Sequence, residues 1–441
     1  MYSKLRKKGF IILCSFIIAL LFLIADMSIS GSNLSHTLAN TKNPLDDDVY
    51  RIVALGDSLT AGYEQGFTEQ SIPYGYVEHI YEQALFHGLH AEYKNYGILG
   101  LKTTGFNLLT QAIVSGNTVI PDNIQKDLID PRAEQIVGQT KQMTTSVQSA
   151  DLIVMTIGGN DLMTILSKLE ADLPDEDLNT LLQDILNNYE QQLELALRNL
   201  LKLQPNAQIV IANQYLPVPA PLKLGAITIP LYPEADRQFL IGSLTQLHNR
   251  LTSIASRLNG EGYHLNTVNV NGMFRNNELK FTTLSDGDVH PNRQGYAAMG
   301  NRFARTIWGE YRTVRPRPAN VPISVVVAGK ELPASASPPV LRNNRTFVAM
   351  RDISDAIGAK LQWDAASKTA VVTYNGHRAA FTIAASEVSI DGAKVKLNSP
   401  PAYLHKTGKE SKTYLPLAAL SEALGLQVVY RDTLQTVFIN K

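Results

Sequence analysis

One serine of the sequence lies in a setting that suits a nucleophile. Ser58 is part of segment 56–62, of sequence GDSLTAG, which directly follows the mostly apolar run 51–55. A short apolar run that ends at a glycine is typical of a buried strand. Ser58 is therefore expected at a strand-to-helix turn, where parallel sheets bind ligands and where free backbone N–H groups favour an alkoxide or an oxyanion. A serine that only caps a helix has the same pattern.

A histidine with nearby carboxylates could serve such a serine as a base. His290 lies in segment 286–296, DGDVHPNRQGY, with Asp286 and Asp288 shortly before it. A carboxylate can orient an imidazole through one ring nitrogen while the other nitrogen accepts a proton from a serine. The chain has nine histidines, and only His290 has both an adjacent turn and a close acid. The pair predicts nucleophilic catalysis by Ser58 with His290 as its base.

Two glycine-containing segments could supply an oxyanion hole. Segment 95–103, NYGILGLKT, contains Gly100, at which a backbone N–H could approach a substrate oxygen without a Cβ in the way. Segment 157–161, IGGND, contains Asn160, whose side-chain amide could donate a hydrogen bond to an oxyanion. Taken singly, the first is also typical of a plain loop, and the second of a turn that tolerates left-handed backbone geometry.

In this order, the four segments resemble the sequence blocks of the SGNH, or GDSL, hydrolase family, over about residues 50–310. The resemblance assigns the nucleophile to Ser58 and the base to His290. It assigns the oxyanion donors to the backbone N–H groups of Ser58 and Gly100 and to the side chain of Asn160. It also implies ester hydrolysis without a metal or a cofactor, in a flavodoxin-like three-layer α/β/α fold.

The chain departs from the family's pattern at the acid. The family has Asp-x-x-His, whereas Gly287 stands three residues before His290. Either a one-residue bulge brings Asp286 to the ring, or Asp288 reaches it in a more extended turn. We expect Asp286 to orient His290, with Asp288 as the alternative.

The scaffold that must position these residues is indicated by alternating patterns over residues 47–313. Apolar runs at 152–157 and 208–212 predict strands, and helical patterns cover 177–202 and 237–258. Strands that alternate with helices indicate a parallel sheet covered on both faces, which is the α/β class.

Two segments of this region are ambiguous or polar. Segment 215–233 is apolar and rich in proline, and it follows the strand at 208–212. It would wall an acyl pocket or form a plain packed loop. The acidic stretch 170–177 is interpreted as a solvated loop.

The N-terminal residues predict export. Residues 1–30 begin with basic side chains and continue with an apolar run over 10–25, which is typical of a secretory signal peptide, or of a membrane anchor if it is not cleaved. The only cysteine, Cys14, lies in that run, and 31–46 is a polar linker. We therefore expect a protein that is secreted or held at the extracellular surface, without disulfide bonds.

The composition argues against one class of partner, nucleic acids. Forty Lys and Arg residues balance forty Asp and Glu residues, so the chain lacks the basic excess of a nucleic-acid-binding protein. A small molecule, a lipid or another acyl ester is the expected substrate. The length of 441 residues suggests about two or three domains.

A second, smaller α+β domain is expected at the C-terminal end of the sequence. The proline-rich segment 314–322 cannot form a helix interior or a central strand, so it is interpreted as a linker. Within 323–441, segment 345–358 aligns without a gap with 412–425, an offset of 67 residues. Each repeat predicts a strand, a short helix and two strands, with Gly358 ending the first helix.

These repeats resemble the domain named after the N-terminal region of copper amine oxidases. The resemblance implies an attachment module that contacts a cell wall or a polysaccharide. His377 and His405 are isolated, whereas a metal site needs clustered ligands, so copper binding is not expected.

Three functions remain at this point. The first is an exported ester hydrolase, a lipase or esterase, that acts on lipid or acyl esters. The second is a carbohydrate O-acetylesterase. The third is a catalytically silent surface-binding protein, for which the unusual spacing of the acid is the main support.

Overall fold

The computed structural model describes residues 49–441, apart from residue 127 and segments 171–173, 225–226, 334–336 and 408–409. The expected leader at 1–30 and the linker at 31–46 lie outside this part of the chain. In the part that is described, no helix is long and apolar enough to cross a membrane.

The N-terminal domain is built around one parallel sheet. The strands of the sheet are β1 (Tyr50–Gly56), β2 (Ala91–Gly97), β3 (Leu152–Thr156), β4 (Gln208–Ala212) and β7 (His264–Val268). A separate two-stranded hairpin is formed by β5 (Leu222–Leu224) and β6 (Ile227–Ile229). The sheet has the order β2-β1-β3-β4-β7, and every neighbouring pair is parallel. This is the strand order of flavodoxin-like folds.

Helices cover both faces of this sheet. They are α1 (Ser58–Ala61), α2 (Tyr76–Phe86), α3 (Thr103–Ser115), α4 (Pro121–Ile124), α5 (Ala133–Val137), α6 (Thr140–Gln148), α7 (Gly159–Glu170), α8 (Asp175–Leu203), α9 (Glu234–Gly260), α10 (Asn271–Phe274), α11 (Glu278–Phe281) and α12 (Arg293–Trp308). Successive side chains of a strand face opposite sides. Along β1, Val53 and Leu55 therefore join one buried cluster, while Ile52 and Ala54 join the other. The predicted three-layer α/β/α fold is confirmed.

The long helices follow their sequence patterns closely, with one correction. The patterns at 177–202 and 237–258 fall inside α8 and α9. The acidic stretch is not a loop throughout, because residues 175–177 form the first turn of α8. Carboxylates are stabilised there by the positive end of the helix dipole.

In its described residues, the C-terminal domain contains two antiparallel sheets, one mixed sheet and two helices. The elements are β8 (Ser324–Val327), β9 (Lys330–Glu331), β10 (Val340–Arg342), β11 (Arg345–Ala349), α13 (Met350–Ile357), β12 (Lys360–Asp364), β13 (Thr369–Tyr374), β14 (His377–Thr382), β15 (Glu387–Ile390), β16 (Ala393–Lys396), β17 (Tyr403–Thr407), β18 (Glu410–Pro416), α14 (Leu417–Ala423), β19 (Gln427–Arg431) and β20 (Thr436–Asn440). The sheets have the orders β10-β11-β18-β17, β12-β13-β14-β15-β16 and β19-β20-β8-β9.

The internal repeat is visible in the order of these elements. β11, α13, β12 and β13 correspond to β18, α14, β19 and β20 at the predicted offset. Helix α13 ends at Gly358, whose φ of 75° is left-handed, as expected for a helix C-cap. The predicted α+β architecture of two repeats is confirmed.

The two domains pack against each other through a charged pair and an aromatic pair. Arg431 Nε donates to Glu82 Oε1 at 2.9 Å, and the Glu82 side chain is only 2% exposed. The rings of Phe86 and Phe438 meet edge to face with their centroids 4.8 Å apart. The buried cluster that contains Ile52 and Ala54 also includes Phe438, so the hydrophobic core is continuous across the domain boundary.

Backbone groups of the N-terminal domain also contact β19 and β20. The side-chain amide of Asn440 donates to the carbonyl oxygens of Leu85 and Leu89, at 3.1 and 2.9 Å. The amide of Gln427 donates to the carbonyl of Ala91 at 2.8 Å and accepts from its N–H at 3.2 Å. The interface thus satisfies backbone groups just before and at the start of β2.

Candidate active site

Ser58 opens the short helix α1, directly after β1. Asp57 caps this helix, since its Oδ1 accepts from the Leu59 N–H at 3.1 Å and from the Thr156 hydroxyl at 2.7 Å. Gly56 has a φ of 144°, and a Cβ at that position would lie 2.2 Å from the carbonyl oxygen of Thr156. Only glycine fits at this position, because the backbone of residue 56 lies so close to β3. This close approach places Ser58 at the C-terminal edge of the sheet.

A closed loop brings His290 to the serine. An isolated antiparallel bridge pairs Thr282 with Pro291, and the Thr283 N–H donates to the carbonyl of His290 at 3.0 Å. His290 Nε2 lies 2.8 Å from Ser58 Oγ. The structure therefore places the two side chains within proton-transfer distance, although they are 232 residues apart in sequence.

The carboxylate in contact with the ring is Asp288. Its Oδ1 lies 2.6 Å from His290 Nδ1 and also accepts the backbone N–H of His290 at 3.1 Å. Asp286 is exposed at the end of a 3-10 turn, where its carboxylate contacts the Ser285 hydroxyl at 3.5 Å. The expectation that Asp286 orients His290 is thereby corrected. Gly287, with a left-handed φ of 81°, turns the chain between the two acids, so that the nearer acid meets the ring.

The two buried or half-buried carboxylates of the site differ in their electrostatics. Burial raises the pKa of Asp288, but the hydrogen bond and the charge of His290 outweigh it and hold that pKa below its ordinary value. Burial raises the pKa of Asp57 to about 7, although the hydrogen bonds from Thr156 and Leu59 oppose the shift. Asp288 is the one suited to stabilise a positive imidazolium, because it stays ionised at lower pH.

The two predicted oxyanion residues have different surroundings. Asn160 lines the same cavity as Ser58, and its side-chain amide donates to the carbonyl oxygen of Leu101 at 3.0 Å. Gly100 precedes that carbonyl in the chain and is not among the residues that line the cavity. Its carbonyl oxygen accepts from the Gln125 amide at 3.0 Å.

A mostly apolar cavity of about 220 Å³ opens beside the Ser58 hydroxyl. Helices α7 and α9 and the segment after β4 contribute its apolar walls, which include Leu162, Met163, Leu166, Tyr215, Pro217, Leu240 and Leu244. Segment 215–233 thus contributes two residues to the wall and then forms the hairpin β5–β6. Among the described residues, no group of three or more His, Cys, Asp or Glu side chains converges to hold a metal ion.

Two tyrosines contact the site without any signal in the sequence. The ring of Tyr63 lies against the ring of His290, with the centroids 4.3 Å apart. The hydroxyl of Tyr215 donates to the carbonyl oxygen of Val289 at 2.5 Å, which ties the cavity wall to the loop that carries the histidine. The chain has 18 tyrosines, and neither of these stands in a motif, so only the fold identifies them.

A parallel α/β/α domain that holds a serine, a histidine and a carboxylate in one chain of contacts has the architecture of a hydrolase. The sequence model of the GDSL-like Lipase/Acylhydrolase family matches residues 54–298, and the chain belongs to this family. The model of the copper amine oxidase N-terminal domain matches residues 326–439. Both resemblances inferred from the sequence are confirmed, and so is the assignment to the GDSL class of ester hydrolases at the level of the family.

Similar proteins include Uncharacterized protein YpmR of Bacillus subtilis (strain 168), at 22% identity over 194 residues. That match covers 43% of this chain and 65% of YpmR, less than two thirds of the relative's length. Among solved structures, the lipase Lip_vut3 from a goat rumen metagenome shares 16% identity, with 60% of this chain and 100% of that chain covered and a TM-score of 0.40. The extracellular lipase of Streptomyces rimosus shares 17% identity, with 59% and 99% covered and a TM-score of 0.37. The family 3 carbohydrate esterase of Clostridium thermocellum shares 15%, with 58% and 94% covered and a TM-score of 0.33.

Proposed function

We propose that this protein is an exported carboxylic-ester hydrolase that cleaves lipid or other acyl esters through an acyl-enzyme. The observation that carries the proposal is the continuous chain of contacts from Asp288 through His290 to Ser58, beside an apolar cavity. A carboxylate, an imidazole and a hydroxyl in this order form the arrangement that activates a serine. The contact of Asp288 with the ring removes the main support for a catalytically silent protein.

In the proposed mechanism, the Ser58 hydroxyl attacks the ester carbonyl while His290 Nε2 takes its proton. Asp288 holds the ring by its Nδ1 and stabilises the imidazolium, without itself accepting the proton. His290 then protonates the leaving alcohol. Water attacks the acyl-enzyme with the same assistance and releases the acid and the free serine.

Three N–H donors would stabilise the tetrahedral oxyanion. The N–H of Ser58 is at the first residue of α1, where backbone donors have no partner within the helix. A primary amide has two N–H donors, and Asn160 uses one of them on Leu101, which fixes the side chain and leaves the second for the oxyanion. The N–H of Gly100 is the third donor that the family resemblance assigns.

The cavity favours acyl groups longer than acetyl. Its leucine, methionine and proline walls would gain about 0.8 kcal/mol for each buried methylene of a substrate. We therefore expect the turnover of nitrophenyl esters to rise from acetate to medium-chain esters. A preference for acetate alone would instead favour the carbohydrate O-acetylesterase.

The decisive test is the replacement of the proposed nucleophile. Ser58→Ala should reduce kcat by at least about 10⁴-fold and abolish labelling by a fluorophosphonate probe. Ser285→Ala is a matched control, because Ser285 lies in the exposed turn of the histidine loop and contacts Asp286. Unchanged hydrolysis by the Ser58→Ala protein would refute the serine mechanism.

We also propose that the protein is exported and that its C-terminal domain attaches it to a polysaccharide. Trp363 and Tyr430 occupy equivalent positions of the two repeats and are 45% and 49% exposed. Exposed aromatic rings are surfaces against which sugar rings can pack. Replacing both with Ala should abolish cosedimentation with insoluble wall polysaccharide and leave nitrophenyl ester hydrolysis intact. Retained cosedimentation would count against attachment by these rings, and recovery of the protein outside the producing cells tests export.

A further inference from the structure

The hairpin β5–β6 presents an uncovered apolar face. Leu222 and Ile229 pair across its two strands, and Ile227 lies two residues from Ile229, so the three side chains share one face. They are 42%, 41% and 64% exposed, respectively. Lys223 and Thr228 pair on the opposite face. The ribbon is therefore amphipathic, and its apolar face is in contact with solvent.

The hairpin is not part of a larger sheet. In the described part of the chain, β5 and β6 form a two-stranded sheet with no third strand. Isolated two-stranded ribbons are only marginally stable in water, and large aliphatic side chains grouped on an exposed surface usually mark an interaction site. A partner that covers this face would stabilise the ribbon and would hold the protein against that partner.

The position of the hairpin points to the occupant. Tyr215 and Pro217 line the cavity beside Ser58, and the hairpin begins at Leu222, only a short segment of chain after them. Met163 also lines that cavity and is 37% exposed, which gives the cavity an apolar rim.

Charge supports the same occupant. Between Gln214 and Pro233, the only charged residue is Lys223. An apolar face with a single cation on the opposite face matches the surface of a lipid layer, in which acyl chains lie below the headgroups.

We propose that the β5–β6 hairpin inserts its apolar face into the surface of a lipid bilayer and holds the acyl cavity against it. The choice of a lipid surface rests on the proposed function, because it assumes that the cavity takes acyl chains. The hairpin would bring the substrate's acyl chain to the cavity without a passage through water.

Insertion can be measured without catalysis. A Cys14→Ser, Ser58→Ala chain carries one added cysteine, either Ile227→Cys or Thr228→Cys, labelled with an environment-sensitive dye. The vesicles contain phosphatidylcholine and phosphatidylglycerol in equal parts, with bromine on the acyl chains as a quencher. The dye at residue 227 should be quenched at least about threefold more than the dye at residue 228, because an inserted apolar face lies roughly 5–10 Å below the surface. Equal quenching, or none at either position, would overturn the proposal.

A second measurement uses the active full-length chain. Ile227→Ser with Ile229→Ser should lower hydrolysis of a long-chain ester embedded in the vesicles by about tenfold or more, and leave hydrolysis of a water-soluble butyrate ester unchanged. Thr228→Ala is the matched control and should alter neither rate. Equal loss on both substrates would overturn the proposal in favour of a structural role, and a change of oligomeric state in the double variant would overturn it in favour of a second copy of the chain. Selective quenching at residue 227 with no ester hydrolysis by the wild-type protein would support docking and refute the proposed function.

Discussion

The two acids before His290 show how much a single residue's role depends on the turn that carries it. Asp286 stands four residues before the histidine and Asp288 two residues before it. The left-handed backbone of Gly287 separates them, so that Asp288 contacts the ring and Asp286 faces solvent. We therefore expect Asp288 to support catalysis and Asp286 to have no part in it.

Asp288→Asn should lower kcat by about 10³- to 10⁴-fold, because the amide would favour the wrong tautomer of His290 and could not stabilise the imidazolium. Asp286→Asn should stay within about twofold of the wild-type rate, as expected of an exposed residue. Steady-state kinetics on a soluble ester compare the two proteins. The reverse order of effects would show that the loop rearranges in solution so that Asp286 orients the ring.

For single residues, the sequence predicted the candidate catalytic residues better than it predicted the contacts between them. Ser58 and His290 stand in motifs that together indicate one mechanism, a serine activated by an imidazole. The choice between the acids depends on backbone angles that the residue types around Gly287 do not determine. Tyr63 and Tyr215 act through ring packing and one hydroxyl, for which a lone sequence offers no pattern.

At the scale of elements, α1 and β3 are joined through one buried carboxylate. Asp57 caps α1 and accepts from the Thr156 hydroxyl at the end of β3, and burial raises its pKa to about 7. Its ordinary pKa is 3.8, so the folded protein holds a proton that the unfolded chain releases. Stability should therefore be fully present below about pH 4 and fall as the pH rises through about 7.

Asp57→Asn should remove this dependence. The variant is expected to exceed the wild-type protein in the free energy of unfolding at pH 8 by about 2–4 kcal/mol, and by much less at pH 4, because the neutral amide has no charge to bury. Urea denaturation at the two pH values gives the comparison. Glu78, whose pKa burial also raises to about 7, contributes equally to both proteins and cancels in the difference. A constant difference between the two proteins across the pH range would refute the assignment to Asp57.

The regular elements were predicted well where a pattern was long or uniform. The helical patterns at 177–202 and 237–258 cover all but the ends of α8 and α9, and the apolar run at 208–212 coincides with β4. The hairpin β5–β6 was not predicted, because the prolines around it, including Pro217, Pro219 and Pro230, obscure the alternation of its short strands. The start of α8 was missed because its acidic first turn resembles a solvated loop in composition.

At the scale of the whole molecule, the two domains are expected to unfold together. Glu82 is buried in the interface, and Arg431 is the cation that compensates its charge. Arg431→Ala should destabilise the docked form by about 3 kcal/mol, because the buried carboxylate would keep the Tyr74 hydroxyl as a hydrogen-bond donor but lose the arginine that compensates its charge. Calorimetry should then show two thermal transitions in place of one.

Arg315→Ala is the matched control for that change. Arg315 is 65% exposed and pairs with Glu331 at the surface, where a charged pair contributes little to stability. Its thermal transition should lie close to that of the wild-type protein. A single, unshifted transition for Arg431→Ala would show that the charged pair does not hold the domains together.

The repeats of the C-terminal domain could be predicted from the sequence, whereas their docking could not. The repeats are found by aligning one part of the C-terminal segment with another part at an offset of 67 residues. The docking residues break that similarity: Arg431 corresponds to the exposed Asp364 of the first repeat, and Gln427 corresponds to Lys360. Nothing in a single sequence relates such differences to a partner surface more than 300 residues away.

The contact of Asn440 with the carbonyl oxygen of Leu85 has a consequence for biosynthesis. The two residues are 355 positions apart, so a ribosome that adds about 5–20 residues per second needs roughly 20–70 s to progress from one to the other. Until Asn440 has been added, Phe86 and the carboxylate of Glu82 lack the cover that the C-terminal domain gives them. Apolar surface that is exposed during synthesis is prone to aggregation, so docking of the C-terminal domain ends this exposure.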